Sequence, residues 1–374
     1  MTDLFMTDER QMLANSVRRF VERGYEAVQR DASIAHPHGC VPETWRNFGE
    51  FGWLALPVPQ DDGGMGGGVA DVCVLTEELG RGAVNEPFIA CAVLAGTLLA
   101  EMAPDDVRSA WFPDLMEGQR RLSLAYETGL KASASDGGFL LRGETSVLPG
   151  GAGVDAYLLV AEVSAQASAG LFLIDANATE LMNEPCALYD GQRATRLRLN
   201  DVSVASALWL GPQEQLQGAV QKALDHATLA HCAETVGTMQ RAYEITLDYL
   251  KTRKQFGHTI ASNQVVQHRL VDLLIEIEEA RALTRAAAVA IDDGANAPMT
   301  GARYTAAAKA CVAHTARHVW KEAVQLHGAI GMTQEYEVGQ FVKRLAAATT
   351  LYGSEEAHLE RLATLSLDVI PSQS

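Results

Sequence analysis

Between residues 119 and 208 the hydrophobic period of the chain changes, and that change limits its possible folds more than any other feature. "RRLSLAYET", "GGFLLRGETSVL", "DAYLLVAEV", "AGLFLIDA" and "TRLRLNDVSV" are short, apolar and often alternating, with Gly, Asp or Asn between them. Alternation at period two marks strands, and close spacing without intervening helices points to an antiparallel sandwich or barrel. The flanks have a helical period. Asp8 is placed to cap a helix carrying Met12, Val17 and Phe20, and "PETWRNFGEFGW" gives a short helix ended by Gly49 and Gly52. After about residue 214, Val236, Met239, Tyr243, Leu247 and Leu250 form one stripe, and Val266, Leu270, Leu273 and Ile277 form the next. Gly257 and Gly294 are the expected stops of these two helices, and an alanine-rich third, "TAAAKACVAHTARHVWKEAVQLHG", allows the close approach of a four-helix bundle. The expectation is an α+β chain of three domains: helical over 1–118, β over 119–213, and a four-helix bundle over 214–374.

The net charge of −17 argues against nucleic acid or an anionic membrane surface as the main partner. Six cysteines are scattered without a CxxC pair, which argues against a zinc site or a disulfide framework and fits a reducing compartment. The acidic opening "MTDLFMTDERQML" is unlike a signal peptide, and no apolar run is long enough to span a bilayer. The expected location is the cytoplasm. The glycine run 63–68 lacks the Gly-Lys-Ser/Thr ending of a phosphate loop and reads as a plain turn.

One segment carries chemistry: "YLKTRKQFGHTIASNQVVQHRLVD", residues 249–272. Arg253 at a helix end beside a glycine turn can hold a phosphate through two parallel hydrogen bonds. Gln255 and Gln264 offer amides for a ribose or base edge, and Phe256 a flat apolar face. Arg253 and Lys254 equally suit the negative end of a helix dipole, and the segment alone leaves both readings open.

Arg-x-Gln-Phe-Gly, the stretch "QLHGAIGMTQEY" at 325–336, the closing "LYG", the N-terminal "FGEFGWLALPVPQDDGGMGGG" and "EELGR", and the order of the three zones together resemble the acyl-CoA dehydrogenase family. The resemblance covers nearly the whole chain. It implies FAD, an acyl-CoA thioester substrate, and electron-transfer flavoprotein as electron acceptor. It implies a homodimer or homotetramer, or a heterotetramer with a second acyl-CoA dehydrogenase chain. The implied reaction removes two hydrogens between Cα and Cβ: a carboxylate takes the α proton, and the β hydrogen leaves as hydride to the flavin. By the same resemblance Arg253, Gln255, Phe256, Gln264, Gln325 and Gly328 bind the FAD of a neighbouring subunit. Ala329 stands where the family has a second glycine.

The chain also departs from the family in its middle segment and at the base. Beside the flavin the family has Thr-Glu-Pro-x-x-Gly-Ser-Asp, whereas this chain has "AYETGLKASASDGG", leaving Tyr126 and Thr128 as candidate cofactor contacts. Val147-Leu148-Pro149 replaces a Trp-Ile-Thr segment and removes a donor there. The base is the second departure. Many members carry Glu directly after the Tyr of the segment matching "LYGS", and here that residue is Gly353; the alternative location falls near Ala227, beside His226. Glu355 and Glu356 are substitute candidates, although Ser354 as a cap followed by two first-turn acids also describes an ordinary helix start. His226, His231, His327 and His358 are further candidates. The pattern resembles small subunits of bacterial pimeloyl-CoA or steroid-side-chain acyl-CoA dehydrogenases. Three functions are therefore in view: an acyl-CoA dehydrogenase, a base-lacking subunit that completes a partner's FAD site, and a helical binding protein without flavin.

Overall fold

The structure is a computed structural model that describes all residues except 1–4, 128, 164–167, 211–212, 295–297, 334–335 and 368–374. The chain packs as two compact units. One gathers Met1–Ala27, Gly68–Val84 and Thr228–Ser374; the other gathers Val28–Gly67 and Asn85–Ala227.

The second unit contains the sheet. Helices α2 (Ala27–Ala35), α3 (Pro42–Glu50), α5 (Gly96–Met102) and α6 (Asp105–Met116) accompany strands β1 (Leu122–Ala125), β2 (Lys131–Ser135), β3 (Gly138–Glu144), β4 (Leu148–Pro149), β5 (Ala156–Val163), β6 (Ser168–Asp175), β7 (Leu181–Ala187) and β8 (Arg193–Ala205). The strand order is β1-β5-β2-β3-β8-β4, with β6 added on β5 and β7 on β8. Most pairs are antiparallel, as the closely spaced strands predict. β1 and β2, however, both run parallel to β5. Pairs this far apart in sequence leave no trace in local periodicity. The glycine-rich segment after Pro59 folds on itself: the amides of Met65, Gly66 and Gly67 donate to Ala55, Val58 and Leu56. A Cβ at Gly64 would lie 2.2 Å from the Val58 carbonyl oxygen. This is a tight turn whose amides are used internally, with none of the free donors a phosphate needs.

The first unit is helical: α1 (Asp8–Arg23), α4 (Val69–Arg81), most of α7 (Gln213–Thr252), α8 (Gln264–Asp292), α9 (Pro298–His327), α10 (Val338–Ala348) and α11 (Glu355–Leu367). The N-cap of α1 is Thr7, whose hydroxyl accepts from the Arg10 amide at 3.3 Å. Asp8 lies one residue inside, in the first turn, where its charge suits the dipole. The core joins Val236, Met239 and Ile245 of α7 with Leu273 and Ile277 of α8, Val312, Ala316 and Val319 of α9, and Phe341 and Leu345 of α10. Two glycines let α4 meet α7 at backbone distance: a Cβ at Gly80 would lie 1.9 Å from the Glu234 carbonyl oxygen, and one at Gly237 would lie 1.8 Å from that of Glu77. Neither long helix ends on its expected glycine. α7 stops at Thr252 and α8 at Asp292, and Gly257 instead closes a small hairpin of β9 (Lys254–Gln255) and β10 (His258–Thr259).

Candidate active site

The hairpin after α7 is built to display its tip. Gln255 pairs with His258, leaving Phe256 and Gly257 as a two-residue loop with φ of 52° and 89°. Two successive left-handed residues make the turn whose twist matches antiparallel strands. Glycine adopts that backbone freely; phenylalanine does so at a cost of about 1–2 kcal/mol. Phe256 is also 95% exposed. A strained backbone carrying a bare aromatic ring makes Phe256 a candidate for a contact outside this chain.

The other flavin candidates collect around the same end of the helices. Leu250 of α7, Val266 and Leu270 of α8 and Leu326 of α9 form one apolar cluster. Above it the Tyr249 ring stacks on His327 at 4.5 Å, and Tyr336 closes on both. His327 Nδ1–H donates to the Ala323 carbonyl at 2.8 Å. Arg253, four residues after Tyr249, and Gly328, next to His327, are thereby fixed to one frame. Arg253, Gln255, Gln264, Gln325 and Gly328 are all exposed. The Arg253 guanidinium has no carboxylate partner among the described residues, so its charge is available to a ligand. The left-handed residue of "HGA" is Gly328, with φ of 66° and open space around its Cβ position. Ala329 follows in a 3-10 turn without a positive φ, so its methyl group imposes no backbone strain. The Tyr249–His327–Tyr336 frame was missed in the sequence; the only signal was an aromatic residue beside each motif.

Tyr126, just after β1 in the sheet-bearing unit, is half-buried, and burial with nearby Glu127 pushes its phenol up to about 12. It stays protonated and can donate. Thr128 lies outside the described residues. Pro149 sits in β4 opposite Ala194 of β8.

The "LYGS" corner joins α10 to α11. Tyr352 and Gly353 have φ of 59° and 103°. Ser354 caps α11, its hydroxyl accepting from the Ala357 amide at 3.3 Å. Glu355 is drawn back to α9, where Arg317 Nη1 donates to it at 2.8 Å and His314 Nδ1 lies 3.1 Å away. Glu356 is fully exposed, and a backbone amide and the Ser354 hydroxyl hold its carboxyl below the ordinary range. Neither acid is held toward the Tyr352–Gly353 backbone by any contact. What surrounds the corner is histidine. The His231 ring lies 5.4 Å from the Tyr352 ring, and His358 Nε2–H donates to the Tyr352 carbonyl at 2.8 Å. His231 is buried, which holds its pKa down, and its Nδ1 lies 3.2 Å from Glu234. Burial opposes the charge on Glu234, but the Arg344 guanidinium at 2.8 Å and His231 bring its carboxyl down to about 2. Arg344 also donates to the Val84 carbonyl at 2.7 Å. Beneath them Lys309 of α9, with no exposed surface, donates to the Ala348 carbonyl at the end of α10 at 2.7 Å, and burial brings its ammonium down to about 8. In the sheet-bearing unit, burial brings His226 down to about 4.

Family models for the acyl-CoA dehydrogenase N-terminal and C-terminal domains match residues 7–119 and 217–366. The chain belongs to the acyl-CoA dehydrogenase family. It is similar to acyl-CoA dehydrogenase IpdE2 of Mycobacterium tuberculosis, 29% identical over 95% of this chain and 96% of the relative. Among solved structures, a variant of the Tcur3481–Tcur3483 steroid ACAD superposes with a TM-score of 0.86 at 29% identity, covering 96% of this chain and 98% of that one. The ChsE4–ChsE5 complex of Mycobacterium tuberculosis shares the fold, with a TM-score of 0.88 at 24% identity over 98% of this chain and 99% of that one. The family comprises FAD-dependent oxidoreductases acting on CH–CH bonds, and this chain has its fold: N-terminal helices, a central sheet and a C-terminal helical region. No helix among the described residues is long and apolar enough to cross a membrane.

The residues present fit the cofactor. An unpaired guanidinium, a bare aromatic ring and a left-handed glycine with open space beside it are the kinds of group that an anionic dinucleotide needs.

Proposed function

We propose that this chain is the subunit of a heteromeric FAD-dependent acyl-CoA dehydrogenase that lacks its own carboxylate base and completes the flavin site of a second, base-bearing chain. The observation that carries this reading is the Tyr352–Gly353 corner, which has glycine in place of the family's Glu and is walled by His231 and His358. Arg253 supplies charge to a pyrophosphate, Gln255 and Gln264 supply amide contacts, and Phe256 covers an apolar face of the bound dinucleotide. Gln325 and Gly328 close the cradle from the end of α9. FAD, when bound, accepts the β hydrogen of the acyl-CoA thioester, so the product is the enoyl-CoA. The α proton requires a carboxylate near neutral pH, and the partner chain supplies it.

The three segments 1–118, 119–213 and 214–374 serve as helical cover, sheet and partner-facing helices. The similar structure named as a steroid ACAD favours a sterol-derived acyl group over a simple fatty or dicarboxylic one. Electron-transfer flavoprotein in the cytoplasm takes the electrons. The exposed, unpaired Arg253 argues against the reading as a flavin-free binding protein, because nothing inside the chain needs it.

The test is co-expression with the neighbouring acyl-CoA dehydrogenase chain, followed by gel filtration and anaerobic titration with a sterol-derived acyl-CoA. A mixed assembly whose flavin is bleached supports the proposal. A homo-oligomer that is bleached without the second chain refutes it.

A further inference from the structure

Gly353 and His358 compete for one volume. A Cβ built on Gly353 would lie 2.6 Å from Nε2 and 2.8 Å from Cδ2 of His358, distances that real Cβ atoms do not show. The imidazole is not free to swing aside. His358 is buried, at 6% exposure, and its Nε2–H is spent on the carbonyl of Tyr352, the residue before the glycine. Its backbone is fixed as well, since the His358 amide donates to the Ser354 carbonyl at 3.1 Å in the first turn of α11. Moving the ring to admit a side chain at 353 therefore strands a buried donor. From the other side, the His231 ring meets Tyr352, and Glu234 and Arg344 hold His231 in turn.

We infer that His358 fills the space of a residue-353 side chain, so that the corner is committed to glycine and a carboxylate can be accommodated there only if His358 also changes. The steric statement stands on the geometry alone; its catalytic meaning rests on the proposed function above. On that reading the missing base is a built feature of two residues, and no single substitution at 353 reverses it.

Backbone strain complicates the simplest test. At φ of 103° any side chain at 353 is strained whatever the space around it. That strain is common to every background and cancels in a double-mutant cycle. Four proteins are compared by thermal unfolding, each in the oligomer in which it purifies: wild type, Gly353→Ala, His358→Ala and the double variant. The expected result is that Gly353→Ala lowers Tm by at least about 2–4 °C more with His358 present than in the His358→Ala background. Unfolding of Gly353→Ala alone, with a folded double variant, gives the same answer. Equal losses in the two backgrounds overturn the inference. So does failure of both to fold, because strain and not His358 would then fix the glycine.

A second pair separates this inference from the functional reading. Gly353→Glu and Gly353→Glu/His358→Ala are each assembled with a second chain whose own base carboxylate is replaced by its amide, and assayed for exchange of the acyl-CoA α hydrogen in D2O. Exchange gained only in the double variant joins the steric commitment to the missing base. Positive coupling in Tm without gained exchange leaves the steric inference standing and tells against the corner as the place of a base.

Discussion

The two ends of the helical unit treat their polar groups in opposite ways. Around Phe256 and Gly328, the guanidinium of Arg253 and the amides of Gln255, Gln264 and Gln325 face outward and are exposed. Around Tyr352 and Gly353 the polar groups face inward and answer one another: Arg344 to Glu234, Glu234 to His231, His358 to the Tyr352 carbonyl, Lys309 to the Ala348 carbonyl. Leaving a charge unpaired at the surface costs the fold little, so the first arrangement leaves these groups available to an external ligand. Burying several charged groups is costly unless each is satisfied, so the second serves the shape of the corner itself. On the proposed function, one region is kept open for a cofactor and the other is closed where a base would stand.

The comparison can be broken most forcefully at Arg344. Replacing it with Met strands Glu234 in the interior, and breaking a buried pair in this way typically costs about 3–5 kcal/mol. Chemical denaturation should show that loss, with a weakened interaction between His231 and Tyr352. A loss below about 1 kcal/mol would mean that the corner does not depend on its internal network. At the open end Arg253→Ala should behave in the opposite manner. Stability should stay within about 0.5 kcal/mol, while flavin affinity of the assembled protein falls roughly 10–100-fold, as for loss of a charge-assisted hydrogen bond worth about 1.5–3 kcal/mol. Unchanged flavin content would remove Arg253 from the cofactor site.

Acid should act on buried histidine before it reaches the carboxylate of the closed region. Glu234 has its carboxyl brought down to about 2 from an ordinary 4.5, so its stabilisation is complete above pH 4.5 and is lost as the pH falls from there toward 2. His226, brought down to about 4 from 6.5, adds an earlier loss: the unfolded chain takes up its proton below 6.5 while the folded chain resists until about 4. Tm measured from pH 7 to pH 3 should therefore fall in two stages, and His226→Gln should shrink the upper one, to which the buried His231 and His327 also contribute. A flat Tm between pH 6.5 and 4.5 contradicts this assignment. The smaller effects lie at the tip and in the two acids. Phe256→Gly should leave stability within about 1 kcal/mol of wild type, since strain relieved in the turn offsets entropy gained by the unfolded chain, yet it should weaken flavin retention. Glu355→Gln should cost no more than about 1 kcal/mol through its contacts with Arg317 and His314, and Glu356→Gln almost nothing. Neither should change turnover of the mixed assembly, and a large drop in turnover with either would restore that residue as a base.

Much of this division was legible in the sequence, and the reasons differ by residue. The change of period near residue 119 marks the sheet because alternation is a local property of strands. Ser354 as a cap before two acids was legible for the same local reason. The hairpin was not, because two-residue strands are too short to show a period; "KQFGHT" read as a helix end, with Gly257 as its stop. The parallel partners of β5 were hidden by their separation along the chain. Lys309 in an alanine-rich helix gave no sign of burial, which arises only because the end of α10 brings the Ala348 carbonyl to it. His358 appeared as one more helical histidine. Its contact with Gly353 depends on two consecutive left-handed residues, a conformation that the letters Tyr-Gly suggest at Gly353 alone.

The central claim is that the open end binds flavin while the closed corner supplies no base. An anaerobic absorbance titration with acyl-CoA tests it most directly, run on the purified chain alone and on its co-purified complex with the second chain. The account predicts that the flavin of the complex is bleached and that the chain alone shows no bleaching, whatever flavin it retains. Full bleaching of the chain alone would contradict it.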